Sequence, residues 1–436
     1  MTDATFAPEP ATPARTTQGA FYRLVWKWHF FAALYVLPFM AMLSLTGGVY
    51  LYAPQIENRL YAEQFYVEPA PERLPLEAQV AAVEAEAGIT RMRGITDYDD
   101  PTRSTRIEFN DGDKARSYAW VNPYTGDVLG VVARDAMPMH ILKKFHGELL
   151  LGDVGTKFVE LAAHWAIVLF ITGVYLWWPR GSRTLKKAVS PPSGKGRSWW
   201  RETHLFTGML ATVLVVPILV SGLPWTDVWG GSLSAIQERT GQSSLSLRFG
   251  GKVPGSTTDN GTTIAYTDVI DVAQDQGLVA PYEMRPPKDE AGAFWVRSAS
   301  KNRYDQTELI VDQYSGEVLK RVDFADNPGV AKAVSLGISF HQGELYGWAN
   351  VLQNTVAALL GVTLAVSGFV AWWMRRPQGR LGVPEAPDAA LSWGMIALVL
   401  VLAVLLPLMG ASLALALLLD WLVFRRLGWF RPTQPT

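Results

Sequence analysis

Apolar runs of membrane length occur at four places in the chain and constrain its fold more than any other feature. They lie at residues 30–53, 158–178, 205–225 and 350–374. A membrane-spanning helix needs about 20 consecutive apolar residues. Within a bilayer, every backbone polar group must also be bonded inside the segment. The sequence therefore predicts four membrane-spanning helices.

A fifth apolar run covers residues 391–424 and is interrupted by Pro407-Leu408-Met409-Gly410. At about 1.5 Å per residue, this run predicts two short spans joined by a turn rather than one helix. The predicted total is about six membrane-spanning helices.

Composition narrows the class of protein. Of the 436 residues, 49% are apolar and only 18% are charged, and the net charge of −1 argues against nucleic-acid binding. Cysteine is absent, which excludes disulfides, Fe–S clusters and thiolate metal sites. The segment 1–20 is polar and rich in Pro and Thr, which predicts a disordered tail rather than a cleaved signal.

Basic residues predict the orientation of the spans. They concentrate in the short segments 179–203 and 375–390 and at the C-terminus. Because basic loops stay on the cytoplasmic side, both termini are expected in the cytoplasm. The long segments 54–145 and 227–340 then lie on the outer side of the membrane.

The chain is a duplication. The stretch Phe145-His146-Gly147-Glu148-Leu149 recurs as Phe340-His341-Gln342-Gly343-Glu344-Leu345, and each copy leads into a long apolar run. His29 and His204 likewise precede Gly47 and Gly222 by the same interval. Two spans per copy keep the copies parallel, so their pseudo-twofold axis is expected along the membrane normal.

The long segments between the spans are also copies. Residues 118–129 match 309–319, and each reads as a strand, a glycine-containing turn and a second strand. A helical pattern precedes each hairpin, at Leu76–Ala87 and Asp268–Gln276. Two small α+β domains are therefore predicted outside the membrane, while residues 232–262, rich in Ser, Gly and Thr, predict a surface loop.

These patterns together predict an α-helical integral membrane protein carrying two small α+β domains. The predicted segments are a tail at 1–20, a first span at 21–53, a first outer domain at 54–145, a histidine segment and second span at 146–178, a basic loop at 179–203, a third span at 204–226, a second outer domain at 227–340, a histidine segment and fourth span at 341–374, a loop at 375–390, a helical hairpin at 391–427 and a tail at 428–436.

Four of the six histidines form two repeat-related pairs, His29 with His204 and His146 with His341. The first pair is expected to begin its helices at the cytoplasmic face, and the second to precede its helices at the outer face. A pseudo-twofold axis brings equivalent residues together from opposite sides, as for two axial imidazoles on one haem iron. Alternatively, these histidines only cap helix ends at the interface.

Other residues near these pairs leave alternatives open. His164, inside the second span, is an alternative outer haem ligand, a partner of a propionate or water, or a plain interhelical hydrogen-bond donor. Glycines that follow Thr or Ser near span ends leave room for a macrocycle or serve close helix packing. Glu148 and Glu344 either accept a hydrogen bond from an imidazole or face water.

The quoted motifs resemble the PepSY-associated transmembrane family. They are the His-Gly-Glu-Leu run, the span ending Thr172-Gly173-Val174-Tyr175-Leu176-Trp177-Trp178, the span from His204 to Ser221-Gly222-Leu223-Pro224-Trp225, and the Pro123-Tyr124-Thr125-Gly126 turn. The resemblance covers residues ~20–425 and implies an iron-regulated bacterial inner-membrane protein, similar to siderophore-iron reductases that bind haem b. It also implies that His29, His204, His146, His341 and, as an option, His164 are haem ligands.

The resulting expectation is a membrane oxidoreductase with two haems b that carries electrons outward and reduces a ferric siderophore or another iron chelate. No dinucleotide-binding glycine motif is present, so the electron donor is expected to be separate, either a quinol or a cytoplasmic reductase. Two alternatives remain: a non-enzymatic accessory or transport protein for iron or siderophore, and an envelope regulator that acts through its outer domains.

Overall fold

The computed structural model describes residues 17–87, 91–110, 115–180, 184–247, 253–257, 261–383 and 392–422. Of the tail predicted at 1–20, residues 1–16 lie outside these ranges and residues 17–20 belong to the first helix. The tail predicted at 428–436 also lies outside them. The helices, in chain order, are α1 (Thr17–Tyr50), α2 (Ala53–Leu60), α3 (Ala62–Phe65), α4 (Leu76–Ala87), α5 (Pro138–Glu148), α6 (Asp153–Trp177), α7 (Leu185–Ala188), α8 (Arg197–Gly222), α9 (Val228–Arg239), α10 (Tyr266–Asp275), α11 (Gly329–Gln342), α12 (Trp348–Trp373), α13 (Trp393–Leu405) and α14 (Pro407–Leu419). The strands are β1 (Arg91–Asp97), β2 (Thr105–Asn110), β3 (Arg116–Val121), β4 (Val128–Ala133), β5 (Tyr282–Arg285), β6 (Ala293–Ser298), β7 (Thr307–Asp312) and β8 (Val318–Asp323).

Four helices of the described residues are long and apolar enough to cross a membrane, namely α1, α6, α8 and α12. They coincide with the four long apolar runs of the sequence. α13 and α14 have 13 residues each. The predicted break in this apolar run is confirmed, but it falls at Leu406, and residues 407–410, where the turn was predicted, form the start of α14. A helix of 13 residues is only about 20 Å long. That α13 and α14 also span the membrane stays a prediction.

α1 and α8 begin earlier than predicted. α1 starts at Thr17 and α8 at Arg197, so His29 and His204 lie inside their helices, and the prediction that these histidines begin them was wrong. The carboxylate of Glu202, within α8, accepts hydrogen bonds from the backbone N–H groups of Ser193 and Gly194, which precede the helix. These bonds fix the chain before α8 and allow the helix to extend into the basic segment.

The described chain divides into two compact units. The first comprises the residues up to Ala41, Leu161–Val216 and those from Leu360 onward. In it, α1 contacts α6 through Phe21 and Tyr175, whose ring centroids are 5.2 Å apart. α6 contacts α14 through a hydrogen bond of 3.0 Å from Trp165 Nε1 to Ser412 Oγ. This unit is a helical assembly.

In the first unit, arginine side chains lie over aromatic rings near the ends of the long helices. The guanidinium carbon of Arg180 lies 4.4 Å from the ring centroid of Tyr175, and that of Arg375 lies 4.5 Å from the ring centroid of Trp26. Amphipathic aromatic and basic side chains favour the headgroup level of a bilayer. The pattern is typical of helix ends at a membrane surface.

The second unit, Met42–Glu160 and Pro217–Leu359, holds one antiparallel sheet in the order β4-β3-β2-β1-β5-β6-β7-β8. Each repeat contributes four strands, and β1 pairs with β5 through Ile95 and Met284. α4 and α10 lie over one face of the sheet, where Val83, Ile107 and Met284 are fully buried. The two α+β copies therefore share one sheet and one hydrophobic core.

The turns predicted between the paired strands are confirmed. Gly126 has φ of 80° between β3 and β4, and Gly316 has φ of 75° between β7 and β8. Glycine adopts this left-handed conformation without steric cost. The two repeats therefore build equivalent hairpins at the two ends of the sheet.

Part of the predicted loop at 232–262 is helical, because α9 extends to Arg239. The start of α9 is fixed by the Glu160 carboxylate, which accepts hydrogen bonds from the backbone N–H groups of Val228 and Trp229 at 2.9 and 2.8 Å. A carboxylate at a helix N-terminus stabilises the helix by satisfying its free donors. This carboxylate belongs to α6, a distant part of the sequence, so the composition around α9 gave no sign of it.

Candidate functional site

His146 and His341 lie together in the second unit. Their ring centroids are 6.5 Å apart with an interplanar angle of 75°. His146 is near the end of α5 and His341 near the end of α11. Each helix ends in a residue with left-handed backbone conformation, Leu149 with φ of 54° and Gly343 with φ of 77°. These equivalent helix ends present the two imidazoles to each other.

Each ring of this pair lies directly against a glycine of a long helix. A Cβ atom added at Gly47 would lie 3.1 Å from Cε1 of His146, and one added at Gly222 would lie 3.0 Å from Cε1 of His341. Both distances are closer than side-chain carbons normally approach. The absent side chains thus create the space that the imidazoles occupy.

The Nδ1 atoms of the pair are held by polar groups next to those glycines. His146 Nδ1 lies 2.8 Å from Thr46 Oγ1. His341 Nδ1 lies 2.9 Å from the carbonyl oxygen of Ile218 and 3.4 Å from Ser221 Oγ. A carbonyl oxygen only accepts hydrogen bonds, so Nδ1 of His341 carries the proton and Nε2 carries the lone pair.

His29 and His204 lie close enough in the first unit to interact electrostatically. The ring of His29 lies near Gly173, and that of His204 against Gly368, where added Cβ atoms would lie 3.4 and 3.0 Å from Cε1. His29 Nδ1 lies 2.9 Å from Thr172 Oγ1, and His204 Nδ1 lies 3.1 Å from the carbonyl oxygen of Leu364. This pair repeats the construction of the His146–His341 pair.

One dipeptide thus recurs beside all four histidines. It is Thr46-Gly47 at His146, Thr172-Gly173 at His29, Ser221-Gly222 at His341 and Ser367-Gly368 at His204. Sequence reasoning noted these glycines but did not connect any of them to a particular histidine. Gly48, in contrast, meets Ala358 of α12 and serves helix packing. The sequence showed the hydroxyl residue before each glycine, but not that each of these dipeptides lies beside one of the four histidines.

The imidazoles of the second unit are kept neutral. Burial, together with the neighbouring His341, lowers the pKa of His146 to about 4. Burial also lowers the pKa of His341, although its hydrogen bond to the Ile218 carbonyl opposes that effect. Neutral imidazole is the form that binds metals, so these rings are in their metal-binding form at neutral pH.

His164 differs from the four paired histidines. It lies within α6 and is fully buried, whereas His29, His146, His204 and His341 are half-buried. A ring with no accessible surface offers no face to an additional large group. His140 lies outside the pairs and contacts Asp135, with 3.0 Å between Nε2 and Oδ1.

Glu148 and Glu344 do not orient the imidazoles through Nδ1, since that atom has other partners in both rings. The Glu148 carboxylate lies 3.9 Å from Lys144 Nζ. The Glu344 carboxylate lies 3.8 Å from both Lys301 Nζ and Arg303 Nη2. Of the two sequence-based interpretations, imidazole orientation is therefore not supported by these contacts.

A row of polar residues crosses the middle of the sheet on the face opposite α4 and α10. Cross-strand pairing places Arg106 beside Thr96, Thr96 beside Glu283 and Glu283 beside Arg297. Arg106 donates to Thr96 Oγ1 at 3.0 Å, and Arg297 Nε donates to Glu283 at 2.8 Å. Directly paired residues share one face of a sheet. We call these four residues the polar row.

Arg303, between β6 and β7, contacts α11, the helix of His341. Its Nη2 lies 3.3 Å from Gln342 Oε1, next to His341 in sequence. Within the described residues, the Nε atoms of Arg106 and Arg303 are buried and have no hydrogen-bond partner. The arginines therefore retain donors that the protein itself does not use.

Comparison with known families agrees with this architecture. The sequence profile of the PepSY-associated TM region matches residues 26–375, which is more than half of the chain. The chain belongs to this family. The matched range begins just before His29 and ends just after the Trp372-Trp373 end of α12, so all four paired histidines of this PepSY-associated TM protein lie inside it. No curated protein sequence gave a match.

Proposed function

We propose that this PepSY-associated TM protein is a membrane oxidoreductase that holds two haems b and reduces a ferric chelate, such as a ferric siderophore, on the outer side of the bacterial inner membrane. The observation that carries this proposal is the repeated construction of two imidazole pairs. In each pair Nδ1 is engaged by the protein and Nε2 is left for a metal. His29 and His204 would hold one haem, and His146 and His341 the other.

The His146–His341 spacing fits one metal ion between two rings. A metal–imidazole bond of about 2.0 Å and a nitrogen-to-centroid distance of about 1.1 Å would leave the centroids of two rings that share one metal ion at most roughly 6 Å apart. The centroids lie 6.5 Å apart. His146 and His341 are half-buried residues, whereas His164 has no accessible surface for a macrocycle to contact. We therefore favour His146 over His164 as a ligand.

Two protein ligands per site also favour haem over a bare ion. Structural zinc takes four protein ligands and calcium six to eight. Within the described ranges, no group of three or more His, Asp or Glu side chains is placed to hold a metal ion. Haem would need only these two histidines from the protein at each site, because the macrocycle supplies the remaining ligands of the iron. Bound there, haem supplies one-electron redox chemistry.

The residues of this chain would perform three tasks. The paired histidines would bind the iron, the four glycines would leave room for the rings, and the long apolar helices would exclude water. Basic segments such as 179–203 support a cytoplasmic location for one end of these helices. The sheet would then lie in the periplasm, and the electron donor would be a separate quinol or cytoplasmic reductase.

The arginines of the second unit support an oxygen-rich, anionic chelate as substrate. Arg303 contacts the residue that follows His341, which places a guanidinium beside this histidine pair. Guanidinium groups bind carboxylates and similar oxygen anions through paired hydrogen bonds. Reduction of Fe(III) to the softer Fe(II) weakens its binding to hard oxygen ligands, which would release the iron.

The test is an absorption spectrum of the detergent-purified protein, oxidised and then reduced with dithionite, with the haem quantified as its pyridine haemochrome. About two haems per chain and a sharp reduced α-band are expected from two bis-histidine sites. Stopped-flow oxidation of the reduced protein by a ferric hydroxamate then tests the substrate. A colourless protein from haem-replete cells would overturn the proposal and favour the regulator interpretation.

A further inference from the structure

The four imidazoles are supported by two different kinds of acceptor. His29 and His146 are both in the first repeat. Their Nδ1 atoms lie within hydrogen-bonding distance of the hydroxyls of Thr172 and Thr46, respectively. His204 and His341, in the second repeat, donate from Nδ1 to backbone carbonyls. Each pair therefore combines one hydroxyl-supported and one carbonyl-supported imidazole.

Which atom donates in each threonine–histidine contact follows from a second hydrogen bond made by each threonine hydroxyl. Thr46 Oγ1 lies 2.8 Å from the carbonyl oxygen of Met42, and Thr172 Oγ1 lies 2.8 Å from that of Val168. A hydroxyl has one proton to donate, and each threonine gives it to its own helix. The threonine oxygen then accepts from Nδ1–H of the histidine, and this chain of bonds strengthens it as an acceptor.

The serines at the matched positions act differently. Ser221 donates to the carbonyl of Ile218 at 3.0 Å, and Ser367 donates to that of Thr363 at 2.6 Å. The Ser221 hydroxyl is 3.4 Å from His341 Nδ1, farther than the 2.9 Å carbonyl contact. Removal of a serine hydroxyl therefore leaves the main acceptor of its histidine in place.

An acceptor on Nδ1–H increases the electron density at Nε2. A ligand that donates more strongly stabilises Fe(III) relative to Fe(II), which lowers the reduction potential. The structure places one replaceable acceptor of this kind at each pair, on a residue that does not itself bind the metal.

We propose that Thr46 and Thr172 are positioning residues, each of which fixes one axial imidazole and lowers the reduction potential at its own histidine pair. This inference rests on the proposed function, since it requires haem at both pairs. Its test measures potentials and not turnover.

The experiment is an optical redox titration of Thr46→Val and Thr172→Val, which keep the branched shape of threonine and remove the acceptor. Thr46→Val should raise the potential of the haem held by His146 and His341 alone. Thr172→Val should raise the potential of the other haem alone. Removal of a hydrogen-bond partner of a metal ligand typically costs tenfold or more in metal affinity. A tenfold change in the preference for Fe(III) over Fe(II) corresponds to about 59 mV for one electron.

Ser221→Ala and Ser367→Ala are the matched controls, and each should shift its haem clearly less than the corresponding valine variant. Thr46→Ser and Thr172→Ser should restore the wild-type potentials, because they retain the acceptor. Should a valine variant fail to fold, Thr46→Ala and Thr172→Ala must give the same upward shift.

Three outcomes would overturn the inference. The first is valine and alanine variants that load haem with unchanged potentials. The second is that Thr46→Ser and Thr172→Ser shift the reduction potentials as much as the valine variants do. That result would show that packing of the threonine methyl group matters instead. The third is an equal shift of both haems in each variant. A wild-type protein without haem would instead overturn the proposed function.

Discussion

The imidazole of His146 lies against the backbone of Gly47, where a side-chain Cβ atom would come within 3.1 Å of the ring. The two residues are far apart in sequence and belong to different helices, α1 and α5. A glycine in a membrane helix therefore fixes the place of a candidate metal ligand. The same relationship recurs at Gly222 and His341.

Gly47→Val should displace His146 and reduce the haem content from about two to about one per chain, because one bis-histidine site loses a ligand. Pyridine haemochrome quantitation of purified protein measures this. Gly147→Ala is the control, since a Cβ atom there meets nothing within 4 Å. Normal haem content in Gly47→Val would contradict the assignment.

His29→Ala and His204→Ala should each remove the same haem and leave the other one spectroscopically intact, because the two side chains would bind one iron from opposite sides. His164→Ala should retain both haems, since its ring is fully buried and lies outside the pairs. Reduced-minus-oxidised spectra distinguish the two haems. Loss of a haem in His164→Ala would show that the pairing is wrong.

Met284→Ala should destabilise the second unit by about 2–5 kcal/mol, the usual cost of truncating a buried large side chain. Met284 is fully buried and pairs with Ile95 where the two repeats meet in the sheet. Chemical unfolding followed by tryptophan fluorescence measures the loss. Val131→Ala, on a 46% exposed residue of β4, should stay within about 0.5 kcal/mol of wild type.

Asp312→Asn should make the stability of the second unit less sensitive to acid. Burial disfavours ionisation of Asp312, but hydrogen bonds from the N–H groups of Ser315, Tyr314 and Thr257 hold the pKa of its carboxyl below its usual range. With a lowered folded-state pKa, the carboxylate stabilises the fold above its unfolded pKa. That contribution disappears as the pH falls through the folded pKa.

The first repeat already has an asparagine at the position that this variant changes. Asn122 occupies the position equivalent to Asp312 and accepts a hydrogen bond from Tyr124 N at 2.9 Å, as Asp312 does from Tyr314 N at 2.8 Å. The variant should therefore fold, and lose about 1–3 kcal/mol at neutral pH, as expected for charge-assisted bonds. Unfolding curves at neutral and acidic pH test this, and unchanged pH dependence would contradict it.

The sequence by itself determined the features that depend on local chemistry. The four long spans follow from the length of the apolar runs, and the hairpins from glycines at Gly126 and Gly316 that adopt φ > 0. The duplication singled out His29, His146, His204 and His341 from only six histidines. Each of these signals lies within a short stretch or in the comparison of two such stretches.

Only the tertiary structure decided which residues support the histidines and how the two outer copies join. Thr46 and His146 lie in different helices, and the β1–β5 pairing joins strands from different repeats. The start of α9 and the polar row likewise depend on partners from distant segments. Local composition does not encode such contacts, because they form only when separate helices and strands pack and satisfy each other's free donors and acceptors.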